Sequence, residues 1–234
     1  MSVAENIARI QEQIQSVAKR AGRSASEVTL MAVSKTFAPQ SIREAYAAGM
    51  RVFGENRVQE FAGKAETLDD LVDAEWHMIG HLQTNKAAKA AELFHAVDSV
   101  DSLRLARKLD EAAAQIGKKL PILIELNVGG EAAKTGMDPG SSELEQLLST
   151  ASQLEHFAIR GLMTVPPFTD DPQQARPFFR KLREFRDQIA KRRLADVSMD
   201  VLSMGMSHDF EVAIEEGSTC VRVGTGIFGA RSKP

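Results

Sequence analysis

Cysteine is almost absent from this chain: Cys220 stands alone among 234 residues. That excludes an intrachain disulfide and a multi-cysteine metal cluster, and it leaves Cys220, inside an apolar run, the expected role of a buried, inert thiol. There is also no apolar stretch long enough to span a bilayer and no charged-then-apolar leader, since residues 1–20 read as an amphipathic helix. The expected location is the cytoplasm. Neither charge is in large excess: 29 Lys+Arg against 32 Asp+Glu leave a formal −3, so no global field recommends nucleic acid or an anionic membrane as partner. No Ser/Pro/Gly-rich linker, low-complexity tract or repeat breaks the chain, and one domain over residues 1–234 is the economical expectation.

What is present is alternation. After the N-terminal helix, strand-like runs occur at 28–34, 51–54, 76–80, 96–100, 122–128, 158–165, 200–204 and 220–223. Helical periodicity occupies 40–48, 56–71, 85–93, 103–116, 143–154, 176–191 and 208–215 between them. Eight βα units around one core predict an α/β fold, a TIM (β/α)8 barrel with an extra N-terminal helix, because each right-handed crossover lays its helix outside the next strand pair. An open doubly wound sheet is the alternative, but no dinucleotide fingerprint follows the first run.

In such a barrel the chemistry gathers at the C-terminal ends of the strands. Those ends carry Lys35, Glu55 with Asn56, His81, Asn127, Met163-Thr164 and Ser207. A lysine closing an apolar strand can be partly desolvated, which makes amines nucleophilic enough to hold an aldehyde as a Schiff base. It can also simply cap the strand in solvent. Likewise Asn56 could occupy a left-handed turn and Ser207 an N-cap. In the last run, period-two geometry sets Val221 and Val223 on one face and Arg222 with Gly224 on the other. With the valines packed on outer helices, Arg222 points into the barrel, where a guanidinium needs an acceptor and no acidic neighbour in sequence supplies one. A ligand is therefore a candidate partner. Gly224-Thr225-Gly226 offers unobstructed backbone amides, Ser207 is expected to open a helix whose N-terminus favours an anion, and loops seven and eight are this fold's habitual phosphate site.

A phosphate grip and a Schiff-base lysine at one mouth describe pyridoxal 5′-phosphate (PLP). The sequence resembles the YggS/PROSC family of PLP-binding, PLP homeostasis proteins. The matching stretches are Ala32-Val33-Ser34-Lys35-Thr36, Phe53-Gly54-Glu55-Asn56, residues 76–86, Gly161-Leu162-Met163-Thr164, residues 202–209 and residues 221–229. The resemblance implies a barrel like the N-terminal domain of alanine racemase. Lys35 would be the cofactor lysine, Ser207, Gly224 and Thr225 would surround the phosphate, and Asn56 and Arg222 would line the cofactor, with Arg222 at the ring nitrogen. Arg57 departs from the tyrosine usual after Gly-Glu-Asn, and Gly130 replaces a commoner serine before Glu131.

The resemblance further implies a carrier and regulator of vitamin B6 supply without robust turnover. Alanine-racemase-like enzymes add a β domain whose tyrosine is the second acid/base. This chain's one tyrosine, Tyr46, is predicted on an outer helix. A monomer is expected, with PLP-dependent apo-enzymes or amino acids as possible partners. A PLP-dependent racemase or decarboxylase, or a Schiff-base aldolase, using Lys35 with His81 or His208 as proton carrier, is the competing reading. A metal enzyme is disfavoured, because His77 and His81 lie four apart on a strand and turn without HExxH. The basic run from Arg176 through Arg193 reads as a helix that lays Phe178, Phe179, Leu182, Phe185 and Ile189 on the barrel and solvates its charges.

Overall fold

The computed structural model describes residues 1–131 and 134–230. The first helix, α1 (Val3–Arg20), is started by a capping box in which Ser2 Oγ accepts the Glu5 amide and Glu5 accepts the Ser2 amide. Its buried stripe, Ile7, Ile10, Ile14 and Val17, follows the helical period. Replacing one of these isoleucines by alanine should cost about 2–5 kcal/mol, because a sealed site collapses poorly around the void.

Eight parallel strands then close into a barrel in chain order: β1 (Thr29–Val33), β2 (Val52–Glu55), β3 (Glu75–Met78), β4 (Ala96–Val100), β5 (Leu120–Glu125), β6 (Phe157–Met163), β7 (Val197–Met206) and β8 (Cys220–Val223). The helices between them are α2 (Pro39–Ala47), α3 (Val58–Ala65), α4 (Ala87–Leu93), α5 (Leu103–Gln115), α6 (Ser142–Ser149), α7 (Arg176–Lys191) and α8 (Phe210–Glu215), and a single turn, α9 (Thr225–Phe228), follows β8. Closure is made by β1 on β8, with Leu30 opposite Val221 and Met31 opposite Arg222. Between β6 and β7 the register shifts, and the backbones come so close that a Cβ on Gly161 would lie 1.9 Å from the Val201 carbonyl oxygen. Only glycine fits there.

The barrel and its outer helix are as expected, with several boundaries moved. α3 is shorter than the periodicity over 56–71, its last turn tightening to 3₁₀ at Glu66–Leu68. β7 is longer than 200–204 and carries its side chains to Met206. α8 begins at Phe210, with Asp209 as its N-cap residue, so Ser207 does not open a helix but sits in the preceding turn. The Asp209 carboxylate instead accepts the Met206 amide at 2.6 Å, which competes with the capping that would have drawn Ser207 into the helix.

α7 buries Phe179, Leu182 and Ile189 as expected, but its arginines are not simply solvated. Arg176, Arg180 and Arg183 converge on the buried carboxylate of Glu216, each at 3.1 Å. Burial disfavours the charge on Glu216, yet Arg180, Arg176 and Arg183 outweigh it and hold its pKa below the usual carboxylate value. These three arginines thus lock α7 to the end of α8. No helix among the described residues is long and apolar enough to cross a membrane.

Candidate functional site

Met31, Ala32, Val33 and Ser34 are buried, and the chain leaves the barrel at Lys35, which is half-buried. The next residue, Thr36, has φ 67, a left-handed conformation that a β-branched residue rarely adopts. Its amide donates to Glu60 Oε1 at 2.6 Å. On the other side of Lys35, Ser34 Oγ donates to Glu55 Oε1 at 2.6 Å. Lys64, only 8% exposed, joins the two carboxylates: its ammonium donates to Glu55 at 2.9 Å, to Glu60 at 3.0 Å and to the Ser34 carbonyl at 3.3 Å. Burial raises the pKa of Glu55 against the pull of Lys64 and Ser34. Burial acts in the same sense on Glu60, but there the Thr36 amide and Lys64 prevail and lower it.

β2 delivers Asn56 to the mouth, and Gly80 makes room for it: a Cβ on Gly80 would lie 2.4 Å from the Asn56 carbonyl oxygen and 2.8 Å from Asn56 Cγ. Asn56 does not sit in a left-handed turn; among the described non-glycine residues, those with positive φ are Thr36, Arg193 and Asp196. His81 follows, exposed, with Nδ1 2.9 Å from Asp101 Oδ2. His77 lies elsewhere, in a separate cavity of about 350 Å³ at the N-terminal ends of the strands, with Asp98 and Cys220. Cys220 is buried as expected, and burial pushes its thiol up to about 12. Arg57 is exposed, leads into α3 and does not line the mouth.

Strand five contributes a residue that the sequence reading missed. Asn127 is used within its own loop, donating to the Glu131 carbonyl at 2.8 Å and accepting the Gly130 amide at 3.0 Å. Glu125 lines the mouth instead, 5% exposed, with Thr135 donating to Oε1 at 2.8 Å and Oε2 sealed without a hydrogen bond among the described residues. Burial raises its pKa, only partly offset by Thr135. A carboxylate in step with Leu123 on an otherwise apolar strand was the available signal.

At the opposite side, Ser207 Oγ lies 3.4 Å from Thr225 Oγ1 and accepts the Gly226 amide at 3.4 Å. α1 backs this segment, Asn6 donating to the Ile227 carbonyl at 2.8 Å. Arg222 points into the barrel, as the alternation requires, and is 3% exposed, while Val221 and Val223 pack outward. Its acceptors are not left to a ligand alone. Nη1 donates to Ser203 Oγ at 2.7 Å and Nη2 to the Thr164 carbonyl at 2.8 Å, partners on the neighbouring strand β7 and just after β6 rather than nearby in sequence. Burial works against the guanidinium charge, and Cys220, Asp98, Glu125 and Asp209 work for it.

Lys35, Asn56, Ser207, Arg222, Gly224 and Thr225 all line one cavity of about 480 Å³, together with His81, Glu125, Lys134, Phe168 and His208. That volume suits a small cofactor. An amine, a fixed guanidinium and a hydroxyl pair beside a glycine-bordered turn form a donor set that matches an anionic ligand carrying an electrophilic group.

The family model of the alanine racemase N-terminal domain matches residues 6–232. The alanine racemase of Clostridium difficile 630 superposes with TM-score 0.76 at 14% identity, over 98% of this chain and 58% of that one, a likeness of fold alone. Two nearer relatives narrow the class. The "Pyridoxal phosphate homeostasis protein" of Aquifex aeolicus (strain VF5) is 46% identical over 99% of both chains. PipY of Synechococcus elongatus PCC7942, solved with PLP bound, is 38% identical with TM-score 0.85, over 97% of this chain and 100% of that one. This chain belongs to the pyridoxal phosphate homeostasis branch of the alanine racemase N-terminal domain family.

Proposed function

We propose that this chain holds pyridoxal 5′-phosphate at the barrel mouth and serves intracellular vitamin B6 homeostasis, as a cytoplasmic monomer acting as one unit over residues 1–234. The observation that carries the reading is the convergence of Lys35, Asn56, Ser207, Arg222, Gly224 and Thr225 on one cavity. PLP bound in PipY and the name of the Aquifex relative support it. When bound, the cofactor supplies an aldehyde that condenses with amines and a ring that can accept electrons. Lys35 takes the aldehyde, Ser207, Gly224 and Thr225 take the phosphate, and Asn56 and Arg222 flank the ring. A fixed guanidinium at the ring nitrogen disfavours a second positive charge there and so restrains carbanion chemistry.

Carriage rather than turnover is further supported by Tyr46. It lies on α2 and donates its hydroxyl to Asp73, just before β3 and at the barrel end opposite the mouth. His81 and His208 do line the cavity, so the enzymatic alternative has a definite test. Borohydride reduction of the loaded protein and peptide mass analysis should find the pyridoxyl adduct on Lys35. Lys134 shares the cavity, and an adduct there in place of Lys35 overturns the assignment. Lys35→Ala should abolish the adduct and the visible absorption band while keeping much of the phosphate affinity. Incubation with L- and D-amino acids in deuterated water should give little exchange at the α-carbon. Many turnovers with any one amino acid would establish an enzyme.

A further inference from the structure

We infer that Glu55 and Lys64, both buried, and the half-buried Glu60 form a positioning device for Lys35. This rests on the proposed attachment at Lys35 and deepens it. Lys64 has three ammonium protons, and each has an acceptor: Glu55 Oε1 at 2.9 Å, Glu60 Oε1 at 3.0 Å and the Ser34 carbonyl at 3.3 Å. Each carboxylate in turn holds one neighbour of Lys35, Glu55 through the Ser34 hydroxyl and Glu60 through the Thr36 amide, both at 2.6 Å.

The peptide units on either side of Lys35 are thus clamped by one buried cation. The clamp has a conformation to enforce, because Thr36 is held at φ 67. A β-branched residue left to itself relaxes out of that region, and relaxation would swing the Lys35 Cα–Cβ direction away from the mouth. A fully solvated pair could not impose this; the Lys64 and Glu55 side chains are 10% and 0% exposed, and Glu60, at 28%, is the outer member anchored by Lys64. The arrangement is a positioning one, since none of the three residues lines the cavity.

The experiment mixes wild-type and variant apo-proteins with pyridoxal 5′-phosphate and follows both the visible band and the borohydride-trapped adduct on Lys35, with thermal melting to monitor folding. Lys64→Met should slow attachment about tenfold or more, because displacement of a reacting group by about an ångström is that costly. Lys64→Arg, which keeps charge and donors, should recover part of the rate. Thr36→Gly in the Lys64→Met background should recover it as well, since glycine adopts positive φ without the Cβ penalty. If Lys64→Met does not fold, Glu60→Ala on the surface side of the network serves instead and should be slow for the same reason. Wild-type rates in a folded Lys64→Met or Glu60→Ala protein would overturn the inference, and so would a slow Lys64→Met protein that Thr36→Gly fails to rescue. Absence of any Lys35 adduct in the wild type would instead overturn the proposed function.

Discussion

Arg222 is the residue whose surroundings differ most from what its neighbours in sequence indicate. Period-two alternation correctly turns it inward, because Val221 and Val223 are needed outside. Its acceptors, Ser203 and the Thr164 carbonyl, come from β7 and from just after β6; strand register decides such pairings and no local pattern encodes them. The guanidinium is therefore braced by the barrel and rigid. Arg222→Glu should place an acceptor where the proposed ring nitrogen lies and shift that nitrogen toward its protonated form, read by nitrogen NMR of labelled cofactor. A wild-type nitrogen already protonated at neutral pH would refute the restraint on carbanion chemistry. Lys35 and Ser207 were legible because strand ends in a barrel face one mouth. Glu125 shares the face of Leu123 in the alternation of β5, and that parity marks it for the barrel interior.

At the scale of elements, α7 and α8 illustrate how a charge pattern changes meaning in three dimensions. The arginine-rich helix looked solvated because its partner, Glu216, belongs to a different element and is itself buried. Glu216→Gln should lower stability by about 1–2 kcal/mol, less than for a fully buried ion pair because the arginines are partly solvated. Chemical denaturation at neutral pH is the measurement. The sign with pH follows from the depressed pKa of Glu216: its contribution is present above the ordinary carboxylate value and disappears as pH falls through the lower folded value. The difference between wild type and Glu216→Gln should therefore shrink in acid. The helix itself was readable from its apolar stripe, since the 3.6-residue period is local.

For the whole molecule, the N-terminal face of the barrel carries a second pH-dependent element. His77 is half-buried, with Nδ1 3.1 Å from Asp98 Oδ1. Burial alone would lower its pKa, but the Asp98 charge and hydrogen bond, with help from Glu75, raise it to about 10. A raised folded pKa means that the contribution is full below the unfolded value of about 6.5 and is lost as pH rises toward 10. Stability should therefore fall between those limits by up to about 1.4 kcal/mol per pH unit from this group. In His77→Gln that slope should be reduced, which unfolding at pH 7, 8.5 and 10 would show. An unchanged slope would mean that His77 is neutral in the folded protein at pH 7.

Chain chemistry by itself determined that strands and helices alternate, that there are eight βα repeats with an amphipathic helix in front, and which parity of the last strand faces inward. These are consequences of steric and hydrophobic periods spanning a few residues. Tertiary structure alone decided that Glu216 gathers the arginines of α7, that Lys64 bridges the carboxylates on either side of Lys35, that Arg222 rests on Ser203 and Thr164, and that His77 and His81 lie in different cavities. The reason is closure: once β1 pairs with β8, the register around the barrel fixes which distant side chains share a layer, and a buried charge takes whichever partner that layer supplies.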